Sequence, residues 1–156
     1  MIELPNHLHP FFTDFKETIH EILQDLLLAV YIHGSLTYGV YLRERSDIDV
    51  MVILTDTLTA ELHNRLSAMF ANLSTTYPEE VMNLELDMVL LGDIEKQPNL
   101  LHSQYSFMNN TPKGPKPLVG FWIELATTRE LGINLFGPTP TSVIPHIDRN
   151  LLFGSN

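Results

Sequence analysis

Residues 49–54 (DVMVIL) restrict the possible folds of this chain more than any other stretch. After its first residue the run has no polar position, whereas a strand with one face in water alternates apolar and polar residues. Such a strand is buried on both faces, so helices must cover its sheet from two sides. Residues 29–33 predict a second strand, and the alternating residues 83–91 (NLELDMVLL) predict a third.

The remaining patterns complete a mixed domain. Apolar residues at helical spacing predict helices over residues 10–28, 58–73 and 117–131, and residues 35–42 fit a short helix. Residues 100–107 and 133–136 predict further strands, whereas residues 72–80 and 109–117 (NNTPKGPKP) predict loops, the second of them mobile. We therefore predict an α/β fold of α+β character, a mixed twisted β-sheet flanked by helices, within one domain over residues 1–156. Its tail, from about residue 138, is polar and rich in proline.

Charge and composition exclude several classes of function. The net charge of -10 argues against broad nucleic-acid binding, because an acidic surface repels phosphate backbones. A single nucleotide stays possible, since metal ions neutralise a local acidic cluster. The absence of cysteine excludes disulfides, and the seven histidines lack the spacing of a zinc site. With no signal peptide and no membrane span in the sequence, we expect a cytoplasmic protein.

The first candidate site feature is the turn Gly34-Ser35, which follows the strand at residues 29–33. Glycine lets the backbone approach a ligand closely, and backbone amides at a turn that enters a helix attract phosphate. Gly-Ser turns are also common structural turns, so this feature alone is weak.

The second feature is Asp47-Ile48-Asp49 at the entrance of the most apolar strand. Residues two apart in a strand point the same way, so both carboxylates are expected side by side. Two adjacent anions are unfavourable there unless a cation binds them, and hard oxygen ligands suit Mg²⁺. The alternative is a solvated strand entrance where aspartate caps a turn.

The third feature is Glu85 and Asp87, which share one face of the third strand. A third carboxylate could complete the metal site or take a proton from an incoming hydroxyl, although alternating polar residues also mark a solvent face. A phosphate-holding turn, an aspartate pair and a third acid are the parts needed for nucleotidyl transfer. In that chemistry two Mg²⁺ ions bridge a nucleoside triphosphate, activate the attacking oxygen and stabilise the leaving pyrophosphate.

The stretch YIHGSLTYGVYLRERSDIDVMVIL resembles the nucleotidyltransferase superfamily that shares the palm of DNA polymerase beta. The superfamily signature is Gly-Ser, a spacer of roughly ten residues and Asp-x-Asp, a short motif whose strand context makes it specific. Within the superfamily the chain is similar to the streptomycin/spectinomycin type of aminoglycoside adenylyltransferase, over about residues 28–55, at LELDMVLLGDI and at ELATTRELGINLFGP.

This resemblance implies ATP as the donor, phosphate binding by Gly34 and Ser35, and Mg²⁺ binding by Asp47 and Asp49. It also implies that Glu85 activates the acceptor hydroxyl, with Asp87 as the alternative because other branches keep an aspartate on that strand. We predict that Glu85 is a metal ligand as well. The antibiotic-modifying enzymes carry a helical second domain after the strand that resembles INLFGP, and this sequence stops soon after that strand. Either the sequence is part of a longer protein or it is a natural single-domain relative. For a single-domain relative we expect an open site that requires a partner protein or a second copy.

Three functions remain open from the sequence. The first is transfer of AMP from ATP to a hydroxyl of a small molecule, such as an aminoglycoside. The second is a minimal nucleotidyltransferase of a toxin-antitoxin pair, acting on or binding a partner protein. The third is a degenerate nucleotide-binding domain, against which the intact acidic residues argue.

Several basic residues could also belong to the site. Arg43 and Arg45 precede the aspartate pair, where either contacts phosphate or only balances the acidic cluster. Lys113 and Lys116 could reach a triphosphate from their loop, although such residues commonly serve solubility. His33 precedes Gly34 and is interpreted as a strand-end histidine satisfied by a neighbour.

Overall fold

The computed structural model describes residues 4–34 and 47–147. These residues form a six-stranded mixed sheet with helices on both faces, and a separate ribbon of two short strands. In chain order the strands are β1 Leu27–His33, β2 Ile48–Leu54, β3 Leu84–Leu90, β4 His102–Ser103, β5 Tyr105–Met108, β6 Thr111–Lys113, β7 Lys116–Pro117 and β8 Ile133–Phe136. The helices are α1 His9–Leu23, α2 Ala60–Thr76, α3 Pro78–Asn83, α4 Leu91–Lys96, α5 Trp122–Leu131 and α6 Pro140–Val143. The predicted α/β fold is confirmed.

The strand order across the sheet is β6-β5-β3-β2-β1-β8, and β4 pairs with β7 in the ribbon. Strand β2 lies near the centre, antiparallel to β1 and parallel to β3. The parallel pairing is possible because α2 and α3 carry the chain back between the two strands. A strand that is paired on both sides and covered on both faces needs an apolar sequence, as residues 50–54 provide.

One face of the sheet, which we call the helix-pair face, packs against α1 and α2. Even-numbered residues of β1, β2 and β3 point into this core, together with Tyr105 and Phe107 of β5. Three phenylalanines of α1 and Phe70 of α2 fill the space above them. Phe70 stacks on Phe107 with ring centroids 4.3 Å apart. This face is a continuous hydrophobic core.

The opposite face, which we call the α5 face, packs against α5 and α6 and carries a smaller core. Odd-numbered strand residues, such as Tyr31 and Met51, contact Phe121, Leu125 and Ile144 there. The apolar residues stop short of the β2 entrance, where polar side chains replace them. The functional features therefore belong to this face.

Two predicted boundaries at the first helix are wrong by several residues. The helix ends at Leu23 and a 3-10 turn, Gln24–Leu26, follows before β1 begins at Leu27. Gln24 has a φ of 51°, which an α-helix does not accommodate. Apolar spacing continues to residue 28 because Leu26 and Leu27 still pack on the core, the first in the turn and the second in the strand.

Two predicted loops are regular structure instead. Helix α2 continues to Thr76 and α3 occupies Pro78–Asn83, where the prediction gave a loop over residues 72–80. Strands β5 and β6 form a hairpin in place of the predicted mobile loop. Asn109 and Asn110 make its turn with φ near +55°, a conformation that asparagine tolerates and a two-residue hairpin turn requires.

The helix predicted from residue 117 starts later, at Trp122, because Gly120 has a φ of 73° that interrupts the helix. The short helix predicted over residues 35–42 lies outside the described residues. None of the helices in the described part of the chain is both long and apolar enough to cross a membrane.

Candidate active site

Two adjacent rows of polar side chains cross the sheet on the α5 face. His33, Asp49 and Glu85 occupy paired positions on β1, β2 and β3, and we call them the acidic row. In the next row Asp87 pairs with Ser106, and Ser106 pairs with Lys113; we call these three the outer row. Directly paired residues have side chains on the same side of a sheet, so the two rows form one polar surface.

Gly34 closes the acidic row at the end of β1. Its φ is +75°, a conformation that favours glycine. A Cβ atom at this position would lie 2.0 Å from an Asp49 carboxylate oxygen. Glycine is therefore required here for two reasons: the backbone conformation favours it, and any larger side chain would clash with Asp49.

Asp49 and Glu85 are in hydrogen-bonding contact, and Asp47 contacts Glu85 from just outside β2. The pKa of Asp49 is raised to about 7. Burial is the largest cause, followed by the hydrogen bond with Glu85 and the negative charges of Glu85, Asp47 and Glu124. Burial also raises the pKa of Glu85, although the hydrogen bond from Asp49 opposes this. Two carboxyl groups form a hydrogen bond only when one of them carries a proton, and the raised pKa of Asp49 favours such a protonated pair when no cation is bound.

Asp87 lies deeper in a different setting. Its carboxylate accepts a hydrogen bond from the Ser106 hydroxyl, and Ser106 also contacts the Ser103 hydroxyl at 2.7 Å. Burial raises the pKa of Asp87, whereas these serine hydroxyls and the charge of Lys116 lower it. Asp87 is thus held by its own hydrogen-bond partners, and its negative charge contributes to the raised pKa of Glu85.

His33 is buried and stays neutral at physiological pH. Only 8% of its surface is exposed, and burial lowers its pKa to about 4. A neutral imidazole next to Asp49 adds no positive charge that would offset the acids. The acidic row therefore has a deficit of positive charge within the described residues.

A cleft of about 130 Å³ opens over both rows. Its walls include residues beyond the two rows, namely Leu86, Phe107, Met108, Lys116, Phe121 and Glu124. Glu124, Ser103 and Ser106 were not identified from the sequence. Glu124 comes from α5, which no sequence pattern places over β2, whereas the alternation in residues 105–107 (YSF) could have shown that Ser106 faces away from the core.

The structure shows the positions of some of the predicted site residues. Ser35, Arg43 and Arg45 are outside the described residues, so the phosphate role of this segment stays a prediction. Asp47, Asp49, Glu85 and Asp87 are brought to one side of the sheet, as expected from their spacing. Asp47 lies at the exposed entrance, one residue before β2, rather than within the strand.

No group of three or more histidine, aspartate or glutamate side chains in residues 4–34 and 47–147 is already arranged to hold a metal ion. The chemistry of the donors nonetheless fits Mg²⁺, since carboxylate oxygens are its preferred protein ligands. Burial and neighbouring acids raise the pKa of Asp49 to about 7. A divalent cation bound between such crowded carboxyl groups would replace the proton. Asp49 and Glu85, with Asp47 at the entrance, are the residues that would hold it.

Comparison with known proteins identifies the family and the fold of the chain. A sequence model of the family described as polymerase beta, nucleotidyltransferase matches residues 17–106, more than half of the chain. The fold is similar to spectinomycin adenyltransferase AAD(9) from Enterococcus faecialis, solved with ATP and spectinomycin, with a TM-score of 0.73 and 15% sequence identity. The match covers 90% of this chain and 60% of that enzyme, so the chain spans less than two thirds of the enzyme's length.

A toxin-antitoxin structure with AMP-PNP also matches, at 19% identity over 79% of this chain and 73% of that one, with a TM-score of 0.39. No curated protein is similar enough in sequence to count as a match.

Proposed function

This chain belongs to the polymerase beta nucleotidyltransferase family, and we propose that it transfers AMP from ATP to a hydroxyl of a small molecule and releases pyrophosphate. The observation that carries this proposal is the contact of Asp49 with Glu85 beside Gly34, because it joins the two acids at the glycine turn. Support for ATP comes from the AAD(9) enzyme, which has a similar fold and was solved with ATP.

The donor nucleotide is proposed to bind at the β1 end of the acidic row. Gly34 lets its phosphates approach Asp49 without a side chain between them. Bound Mg²⁺ would neutralise the triphosphate and the acidic row and polarise the phosphorus that is attacked. Asp49 and Asp47 would hold the ion in a fixed place, which is the main contribution that a protein makes to this reaction.

The acceptor is proposed to approach from the side of β3. Its hydroxyl proton passes to the Glu85 carboxylate while its oxygen forms a bond to the α-phosphorus of ATP. The bond between the α-phosphorus and the bridging oxygen breaks, and pyrophosphate leaves with that electron pair. We assign the base role to Glu85 rather than Asp87, because Glu85 contacts Asp49 whereas Asp87 is engaged by Ser106.

The direct test measures transfer of label from α-labelled ATP in the presence of Mg²⁺. The acceptors should include spectinomycin and streptomycin, neutral polyols and sugar phosphates, and the chain should also be incubated without any acceptor. We expect labelled small molecule and released pyrophosphate. Asp49→Asn should lower the rate at least about a hundredfold, the effect of removing one charge-stabilising group from a transition state.

A matched control is Glu95→Gln, which neutralises an exposed carboxylate on α4 and should leave the rate unchanged. Label that stays on protein would favour the function of a toxin-antitoxin nucleotidyltransferase instead. Full transfer by the Asp49→Asn protein would contradict the site that we assign.

A further inference from the structure

Two lysines occupy the wall of the cleft that is furthest from Gly34. Lys113 is on β6 and Lys116 is on β7, and they pair directly with Ser106 and Ser103, the two serines next to Asp87. They are two of only four lysines in a chain with a net charge of -10. In the described part of the chain neither lysine side chain forms a salt bridge or hydrogen bond. The charge of Lys116 lowers the pKa of Asp87, but no salt bridge neutralises either lysine within the described residues. Two such cations at the wall of a cleft can bind an anion.

The ribbon and hairpin hold these lysines in defined places. The β5–β6 turn is a two-residue hairpin, and prolines 112, 115 and 117 restrict the backbone around both lysines. The pairing of β6 with β5 places Lys113 opposite Ser106, and the pairing of β7 with β4 places Lys116 opposite Ser103. Placing both cations on fixed strands lowers the entropy that a bound anion would cost.

Strand spacing separates the lysines from the proposed donor site. Lys113 lies four strands from Gly34 in the order β1-β2-β3-β5-β6, which is about 19 Å at the usual spacing between strands. It lies only two strands, about 10 Å, from Glu85 on β3. A triphosphate anchored at Gly34 is adjacent to β2, so the lysines are better placed for the molecule that approaches Glu85.

The residues of this wall lie largely outside the part of the chain that is common to the family. The family match ends at residue 106, whereas Met108, Lys113, Lys116, Phe121 and Glu124 follow it. The proposed transfer chemistry uses Asp49 and Glu85, which lie within the match. Elements added after that core are the natural place for acceptor selectivity.

We propose that Lys113 and Lys116 form an acceptor subsite for an oxyanion, a carboxylate or phosphate, carried by the molecule that receives AMP. This inference rests on the proposed function in one respect only, namely that the bound molecule is the acceptor of AMP. Two charge-assisted hydrogen bonds from lysine to the anion would orient its hydroxyl towards Glu85. A polycationic acceptor would be repelled at this wall, so an anionic acceptor is expected to react better than an aminoglycoside.

The test is an NMR titration of ¹⁵N-labelled protein with glycerol 3-phosphate, with glycerol and ethanolamine as neutral and cationic comparisons. Each titration is run with and without saturating Mg²⁺ and α,β-methylene ATP, an analogue that cannot transfer AMP. With the analogue bound, glycerol 3-phosphate should shift the amide signals of Ser106, Lys113 and Lys116, whereas glycerol and ethanolamine should not. The variant with both Lys113→Ala and Lys116→Ala should bind it at least about tenfold more weakly.

A matched variant with Lys16→Ala and Lys96→Ala removes the other two lysines and should bind glycerol 3-phosphate like the original protein. Affinity for the analogue should be unchanged in both variants. The inference is overturned when the phosphate probe binds equally well without Lys113 and Lys116, or when the analogue excludes it. It is also overturned when loss of these lysines weakens binding of the ATP analogue instead, since the lysines would then bind the donor nucleotide.

The proposed function fails separately, when the analogue causes no Mg²⁺-dependent shift at Gly34 and Asp49. In that case the titration without analogue still decides whether the lysine pair binds an oxyanion.

Discussion

The two faces of the sheet use alternate residues of the same strands for different purposes. On the helix-pair face, Val50, Val52 and their neighbours pack under the phenylalanines of α1 and α2 with no polar interruption. On the α5 face, the same strands place the acids of both polar rows, Asp49, Glu85 and Asp87, at one end and a small core at the other. Stability is thus concentrated on one face, which lets the other hold acids that repel one another.

The largest expected effect is on the helix-pair face. Phe70→Ala should lower the free energy of unfolding by about 3–5 kcal/mol, because it removes a fully buried ring and leaves a cavity among stacked aromatic residues. Urea unfolding measures this loss. Phe70→Leu, the matched control, should lower the free energy of unfolding much less. Binding of α,β-methylene ATP per folded molecule should be unchanged in both variants. Loss of binding with the fold intact would show that the faces are coupled.

The next effect separates the two acids of β3 on the α5 face. Glu85→Gln should lower AMP transfer at least about a hundredfold, as expected for loss of the base that takes the acceptor proton. Asp87→Asn should lower it less than tenfold, since the amide still accepts from Ser106. Rates measured with saturating ATP compare the two. Equal losses of transfer rate in the two variants would contradict the assignment of Glu85 as the base and would indicate that both acids take part in the reaction.

A smaller effect concerns stability at the acidic row. The pKa of Asp49 is raised from 3.8 to about 7, so the folded protein binds more protons than the unfolded chain between these values. This contribution to stability is complete below about pH 4 and is lost as pH rises through 7. Asp49→Asn should remove that loss, giving a metal-free protein that melts a few degrees higher than the original at pH 8.

The same melting experiment with added Mg²⁺ tests whether Asp49 binds the ion. It should raise the melting temperature of the original protein at pH 8, because it binds the folded state, and should not raise that of Asp49→Asn. Burial lowers the pKa of His33 to about 4, so its stabilising contribution is lost as pH falls from 6.5 towards 4, the opposite direction. Comparison of the two proteins at each pH removes this common contribution. A pH profile that is identical in both would contradict the strained acidic pair.

The smallest effect returns to the helix-pair face. Thr59 caps α2, and its hydroxyl accepts a hydrogen bond from the Leu62 amide at 3.1 Å. Thr59→Ala should lower the free energy of unfolding by about 1 kcal/mol, and Thr59→Ser should restore it. Thermal melting measures the change. An effect of Thr59→Ala on transfer by the folded protein would show that α2 contributes to the site as well as to the core.

The sequence predicts the inner sheet well and its outer part poorly. The strands β2 and β3 and the common face of Glu85 and Asp87 follow from apolar runs and alternation, which are local patterns. The hairpin at Asn109 was missed because glycine and proline around it favour a loop, whereas pairing with Ser106 stabilises strands. Glu124 was missed since its place near Asp49 depends on how α5 packs, a long-range contact that no local spacing reveals.

The parallel pairing of β2 with β3 also determines when in folding the site forms. Asp49 and Glu85 are 36 positions apart, and α2 and α3 lie between them in the chain. Such non-local pairings form late and slow the folding of a chain, because loop closure costs entropy before the contacts repay it. Nucleotide binding by this protein should therefore serve as a reporter of the last step of folding, with no signal from partly assembled chains.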